Sequence, residues 1–189
     1  MSMTVKSLLL ILLGGVLANN YALQKFLGVT PFLGYSRDES RIAGMGLAVT
    51  VVMILTAAVT WPVETFLLAK LGLDYLQTLV FIALILIVVY LVDLVVKKLM
   101  HKSLGVYFPL IALNSAVLGL ALEAGAKGYS YGQTLAAALG VGLGFLVALL
   151  LMNGVQSRIE EKHIPAAFRG LPISLLAASI IAMVLVAFK

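Results

Sequence analysis

Long apolar blocks separated by short polar connections set the pattern of this chain. Six stand out by length: about Val5 to Leu23, Ile42 to Trp61, Leu76 to Val96, Leu104 to Leu122, Thr134 to Met152 and Leu171 to Phe188. Each is close to the ~20 residues an α-helix needs to cross the hydrocarbon core of a bilayer. The pattern predicts an all-α integral membrane protein of six transmembrane helices.

Two of these regions are interrupted. The first runs Leu17-Ala18-Asn19-Asn20-Tyr21 and on through Leu27-Gly28-Val29-Thr30-Pro31-Phe32-Leu33-Gly34. The second runs Leu104-Gly105-Val106-Tyr107-Phe108-Pro109 to Leu113-Asn114-Ser115-Ala116-Val117-Leu118-Gly119. Asn, Gly and Pro at matched places in two halves point to discontinuous helices of an inverted repeat, whose freed backbone groups line a site instead of facing lipid. Helices 1 and 4 are therefore expected to be broken near the midplane. Weak internal similarity agrees: Ala18 to Leu23 resembles Ala112 to Val117, and Leu27-Gly28-Val29 recurs as Leu104-Gly105-Val106, with the two pieces in different order. The expectation is a single membrane domain, 1–189, with three-span repeats of about 1–100 and 101–189.

Composition narrows the class. Of 189 residues, 62% are hydrophobic and 11% charged, about half the charge of a water-soluble domain. The net charge of +5 does not point to nucleic acid, because the basic residues sit singly or in short groups at the ends of apolar blocks. Connections one, three and five carry Lys25, Arg37, Arg41, Lys97, Lys98, Lys102, Arg158, Lys162 and Arg169, against Lys6, Lys70, Lys127 and Lys189 on the other side. By the positive-inside rule both termini lie outside a bacterial or archaeal cytoplasmic membrane. Lys6 before an apolar run imitates a signal peptide. With no small-x-small cleavage site leading into a soluble domain, the segment reads as a retained helix.

Candidate chemistry is sparse. Asn19, Asn20 and Asn114 sit in apolar surroundings, where an unpaired amide is costly; they either brace half-helix ends around a midplane site or glue helices together. Asp93 is a candidate ion relay as an intramembrane carboxylate, or a structural ion pair with Lys97 four residues on. Glu64 and Glu123 read as interfacial. Ala136, Gly140, Gly144 and Ala148 form a smooth stripe for close helix packing, and Gly44 and Gly46 are expected to do the same. His101 and His163 lie far apart and lack carboxylates at ligand spacing, apart from Glu160 and Glu161 beside His163, so no metal site is expected. No P-loop or dinucleotide fingerprint is present, and Ser115 has no histidine within a span to activate it. No catalytic residue is identified.

Four ordered motifs carry a family resemblance over nearly the whole chain: Leu17 to Gly34, Gly44-Met-Gly-Leu-Ala-Val-Thr50, Phe108 to Gly119 and Ile164-Pro-Ala-Ala-Phe-Arg-Gly170. They resemble the A subunit of Rnf-type ferredoxin:NAD oxidoreductases and its counterpart, the E subunit of sodium-translocating NADH:quinone oxidoreductases. The resemblance implies a subunit that pairs with a homologous membrane subunit of opposite topology and works with further subunits of the complex. It also implies a [2Fe-2S] or iron centre shared by the pair, and electron transfer coupled to sodium or proton movement.

One departure is sharp. The family's two cluster cysteines align with Thr30 and Ser115, and the chain has no cysteine. Hydroxyls are poor ligands for iron that prefers soft thiolates, so no cofactor is expected on this chain alone and any thiolates would come from the partner. A branch that lost the cluster, a deliberate replacement and a paralogue in another role all fit. The alternatives in function are a cluster-free small ion or solute carrier or channel on the same frame, including a homodimer in opposed orientations, and a subunit retained for assembly.

Overall fold

The computed structural model describes residues 5–29, 39–100, 107–159 and 164–186. Every regular element among them is helical. In chain order they are α1 (Val5–Leu13), α2 (Glu39–Val63), α3 (Gln77–Met100), α4 (Tyr107–Ala112), α5 (Ser115–Ala126), α6 (Tyr131–Gln156) and α7 (Leu171–Val186).

The axis of the bundle is α6. Its 26 residues span about 39 Å at 1.5 Å per residue. Its start is fixed by a capping box, in which Ser130 accepts from the Gln133 N–H and Gln133 returns a bond to the Ser130 N–H. The expected small-residue stripe is the surface on which α1 lies. A Cβ added at Gly140 would stand 2.5 Å from the Leu12 carbonyl oxygen, and one at Gly144 2.5 Å from that of Gly15. On another face, Gly142 meets Thr50 and Gly46 meets Leu146, so α2 approaches equally closely. Gly44 meets nothing within 4 Å and has no packing role, unlike Gly46. With lipid as apolar as leucine, such close backbone approach is a main source of helix affinity. Phe81, Val49, Val52, Met53, Val89, Val117 and Phe145 fill the core around it.

Three helical stretches are long and apolar enough to cross a membrane, Ile42–Leu71, Asp74–Lys98 and Tyr131–Gln156; Val5–Leu17, Leu110–Ala126 and Pro172–Val184 are shorter apolar helices. The first of the long stretches runs well past the expected end at Trp61. Pro62 removes a backbone donor, and the helix continues by widening into a π-turn at Glu64–Leu68. It stops ten residues late, at Leu71, before Gly72, whose φ of 64° makes a left-handed cap. Trp61, Phe66 and Tyr131 cluster edge to face at this end, and the Trp61 indole donates to the Tyr129 carbonyl at 2.7 Å. This is the amphipathic aromatic arrangement that suits a membrane–water interface.

Both expected breaks are present. After α1 the chain opens into a π-turn at Gly14–Ala18 and leaves helical geometry at Asn19. From Asn19 through Gln24, inside the stretch where the break was expected, the chain runs as a series of turns. In the second half Pro109 lies in the first turn of α4, where a missing N–H costs nothing. The break falls later, at Leu113-Asn114, between α4 and α5. Pro31 lies outside the described residues.

Candidate functional site

The breaks converge on one place. Asn20 is 1% exposed and uses its whole amide: Nδ2 donates to Val16 O at 3.1 Å and to Gly144 O at 2.8 Å, while Oδ1 accepts from the N–H groups of Ala22 and Leu23. One side chain thus satisfies the end of α1, the start of the following turns and a carbonyl of α6. Asn114 caps α5, its Oδ1 accepting from the Ala116 N–H at 2.9 Å. The turn after Asn20 reaches Gly28, whose N–H donates to Ser115 Oγ at 2.7 Å. Gly28 holds φ 71°, and a Cβ there would meet Asn114 Oδ1 and the Phe145 ring. Only glycine combines that backbone with that proximity. Ser115 is exposed, and so are Leu113, two residues before it, and Phe26, two residues before Gly28, at 76% and 43%.

The place has a definite depth. Gly144 is the fourteenth of the 26 residues of α6, so the convergence lies at that helix's midpoint. Counting along the helices puts Asp93 near the same level. Gln77 Nε2 donates to Glu64 Oε1 at 2.7 Å, which fixes the antiparallel register of α3 against α2. Sixteen residues from that pair along each helix are Asp93 and Ala48, and the contacts of Gly46 with Leu146 and Thr50 with Gly142 put Ala48 level with Gly144. Asp93 is 4% exposed and pairs with Lys97 at 2.5 Å. It stands two helical turns from the end of α3.

Asn19 belongs to a second feature. It is exposed and lines a cavity of about 220 Å³ with Tyr21, Glu123, Lys127 and Tyr129. There Glu123 accepts from Tyr21 Oη at 2.5 Å, from Lys127 Nζ at 2.6 Å and from Lys25 Nζ. The sequence reads Glu123 as interfacial. Lys25 therefore lies toward the end that carries Lys127, not toward the opposite end where the charge count puts it. Moving it leaves eight basic residues against five, the same sign. Sequence spacing shows the Glu123–Lys127 pair but holds no signal for Tyr21 and Lys25, which arrive only because the chain turns back after Asn20. Glu64, also expected at the interface, packs against Gly125 besides holding Gln77.

A Rnf-Nqr subunit family of membrane proteins matches residues 8–189. The chain belongs to this family. It is 45% identical over 187 residues to the A subunit of the ion-translocating oxidoreductase complex of Syntrophotalea carbinolica, covering 97% of each chain. It is 40% identical over 186 residues to the A subunit of the Na(+)-translocating ferredoxin:NAD(+) oxidoreductase complex of Acetobacterium woodii, again covering 97% of each. The corresponding protein of an Azoarcus species is 40% identical over 183 residues, covering 95% of each.

As a member of the Rnf-Nqr family the chain invites a test of its donors against a shared iron–sulfur centre. Ser115 offers a hard hydroxyl oxygen that already accepts from Gly28, and Thr30 lies outside the described residues. Among the described residues no group of three or more His, Cys, Asp or Glu could hold a metal ion. Iron–sulfur clusters are held by thiolates, with imidazole as the usual substitute. The described residues do not fit such a group.

Proposed function

We propose that this chain is the A-type membrane component of an Rnf-like, ion-translocating electron-transport complex, and that its two breaks form one half of a site completed by a homologous subunit of opposite topology. The Gly28 to Ser115 hydrogen bond carries the reading, since it joins the broken segments of the two halves at the mid-depth of α6. The exposed Leu113 and Phe26, each two residues from a partner in that bond, support a protein neighbour there. Asn20 and Asn114 brace the half-helix ends. Thr30 and Ser115 hold the places of the cluster cysteines without ligating, so thiolates for any iron come from the partner. Asp93, buried near the same level, is the ion relay, carrying sodium or a proton. The six spans form a 3+3 inverted repeat over about 1–100 and 101–189, with both termini outside the cytoplasmic membrane.

Cross-linking in membranes tests the pairing. With cysteine at Leu113 or Ser115, a bifunctional thiol reagent should join this chain to the opposed homologue. Cross-links only to a second copy of this chain would overturn the hetero-pair in favour of a homodimeric carrier. Restoring both thiols, Thr30→Cys with Ser115→Cys, should return iron to the assembled complex; iron absent from that assembly would count against the alignment. Asp93→Asn keeps the volume and removes the charge. Ion transport is expected to fall at least ten-fold with assembly intact, and unchanged transport would remove Asp93 from the pathway.

A further inference from the structure

The cavity beside Glu123 reaches the first break at Gly14, Gly15 and Asn19 but includes neither Gly28 nor Ser115, and its lining is organised. One wall is apolar, from Leu10 and Ile11 of α1 and Ala137 and Val141 of α6. The other carries Tyr21, Glu123, Lys127 and Tyr129, and Asn19 lies where α1 ends. Lys127 and Tyr129 belong to the short connection between α5 and α6, so the mouth is at the aromatic end of the bundle. Val141 is ten residues into α6 from Tyr131, about 15 Å along its axis. A cavity of about 220 Å³ with this many polar groups has room and hydrogen-bond partners for several water molecules.

Its charge is also defined. Glu123 is saturated by three donors, Tyr21, Lys25 and Lys127. Two ammonium groups against one carboxylate leave the mouth at +1. Lys25 occupies the carboxylate edge that a free monovalent cation would take, and it is tethered there by the same turn that leads to Gly28. Its Nζ also stands 4.1 Å from the centre of the Tyr21 ring, a cation–π contact that holds it in place.

We propose that this cavity is a one-sided aqueous vestibule, bringing solvent and small anions from the Tyr129 end down to the end of α1 at Asn19, with Lys25 on Glu123 as a built-in cation that bars other cations. This rests on the fold of the chain itself and stands whether or not the opposed homologue is the partner.

The absence of native cysteine makes introduced thiols clean reporters. Ala137 lines the cavity and Ala138 does not, although they are adjacent in α6 and both buried. Each takes cysteine with little change in volume. In sealed vesicles of both orientations carrying the full complex, this chain is labelled with membrane-impermeant methanethiosulfonates and read by its own mass shift. Ala137→Cys and Asn19→Cys should react at least ten-fold faster than Ala138→Cys, and from one face only. The anionic reagent should outrun the cationic one, the preference should vanish in Lys25→Met, and it should reverse in Lys25→Met with Lys127→Met, following charges of +1, 0 and −1. Equal rates at Ala137→Cys and Ala138→Cys, or labelling from both faces, would overturn the vestibule. A charge preference unmoved by Lys25→Met would overturn the role of Lys25. Ala137→Cys keeps the test alive if Asn19→Cys fails to fold.

Discussion

The side-chain amide of Asn20 donates to the carbonyl of Gly144, 124 positions away, at 2.8 Å. That single bond fastens the point where α1 stops to the middle of α6. Asn20→Ala removes it together with the bonds to Val16, Ala22 and Leu23. Each buried polar group left without a partner costs about 1–3 kcal/mol, so the variant should lose at least about 3 kcal/mol. Thermal unfolding in detergent would show it, and a midpoint unchanged from the parent protein would refute the brace.

Glycine substitutions separate contact from conformation. Gly140→Ala places a Cβ against the Leu12 backbone, and an overpacked contact of this kind costs about 1–3 kcal/mol. Gly154→Ala in the same helix meets nothing and should be neutral or stabilising by up to about 1 kcal/mol, because alanine restricts the unfolded chain and favours helix. Comparing the two unfolding midpoints isolates the packing effect from helix propensity.

Ser115→Ala should leave the Gly28 N–H without its acceptor and lower stability by about 1–2 kcal/mol. Gly28→Ala should cost more, because its φ of 71° is strained for an L side chain and the methyl meets Asn114 and Phe145. An order reversed from this in chemical denaturation would mean that the loop is not held as described.

At the aromatic end, the hydrogen bond to Glu123 holds the pKa of Lys127 above the ordinary 10.5. A raised lysine pKa stabilises the fold fully below the ordinary value, and the contribution disappears as pH climbs through the raised one. The melting temperature should therefore fall above about pH 10.5, and Glu123→Gln should flatten that decline. Identical alkaline profiles for the two proteins would contradict the linkage.

Sequence reading located the breaks because amides and glycines inside apolar blocks conflict with an uninterrupted lipid-facing helix. The stripe through Gly140 and Gly144 was legible for the same kind of reason, being a fixed helical spacing. The apolar block ended at Trp61, but a π-turn absorbs the bond lost at Pro62 and the helix runs on to Leu71. The Asp93–Lys97 pair was legible as an i,i+4 spacing, while only the register of α3 against α2 bears on its depth. The Tyr21, Lys25 and Glu123 cluster was invisible, since it depends on the direction of the chain after Asn20, and no local pattern encodes that direction.

The lodging of Gly15 against Gly140, and of Asn20 against Gly144, also dictates an order of biogenesis. While the ribosome is still making the first hundred residues, the broken end of α1 has no surface to rest on and its amide no acceptor from α6. A truncated amino-terminal half should therefore insert yet remain a target for membrane proteases, and co-expression of the carboxyl-terminal half should rescue it.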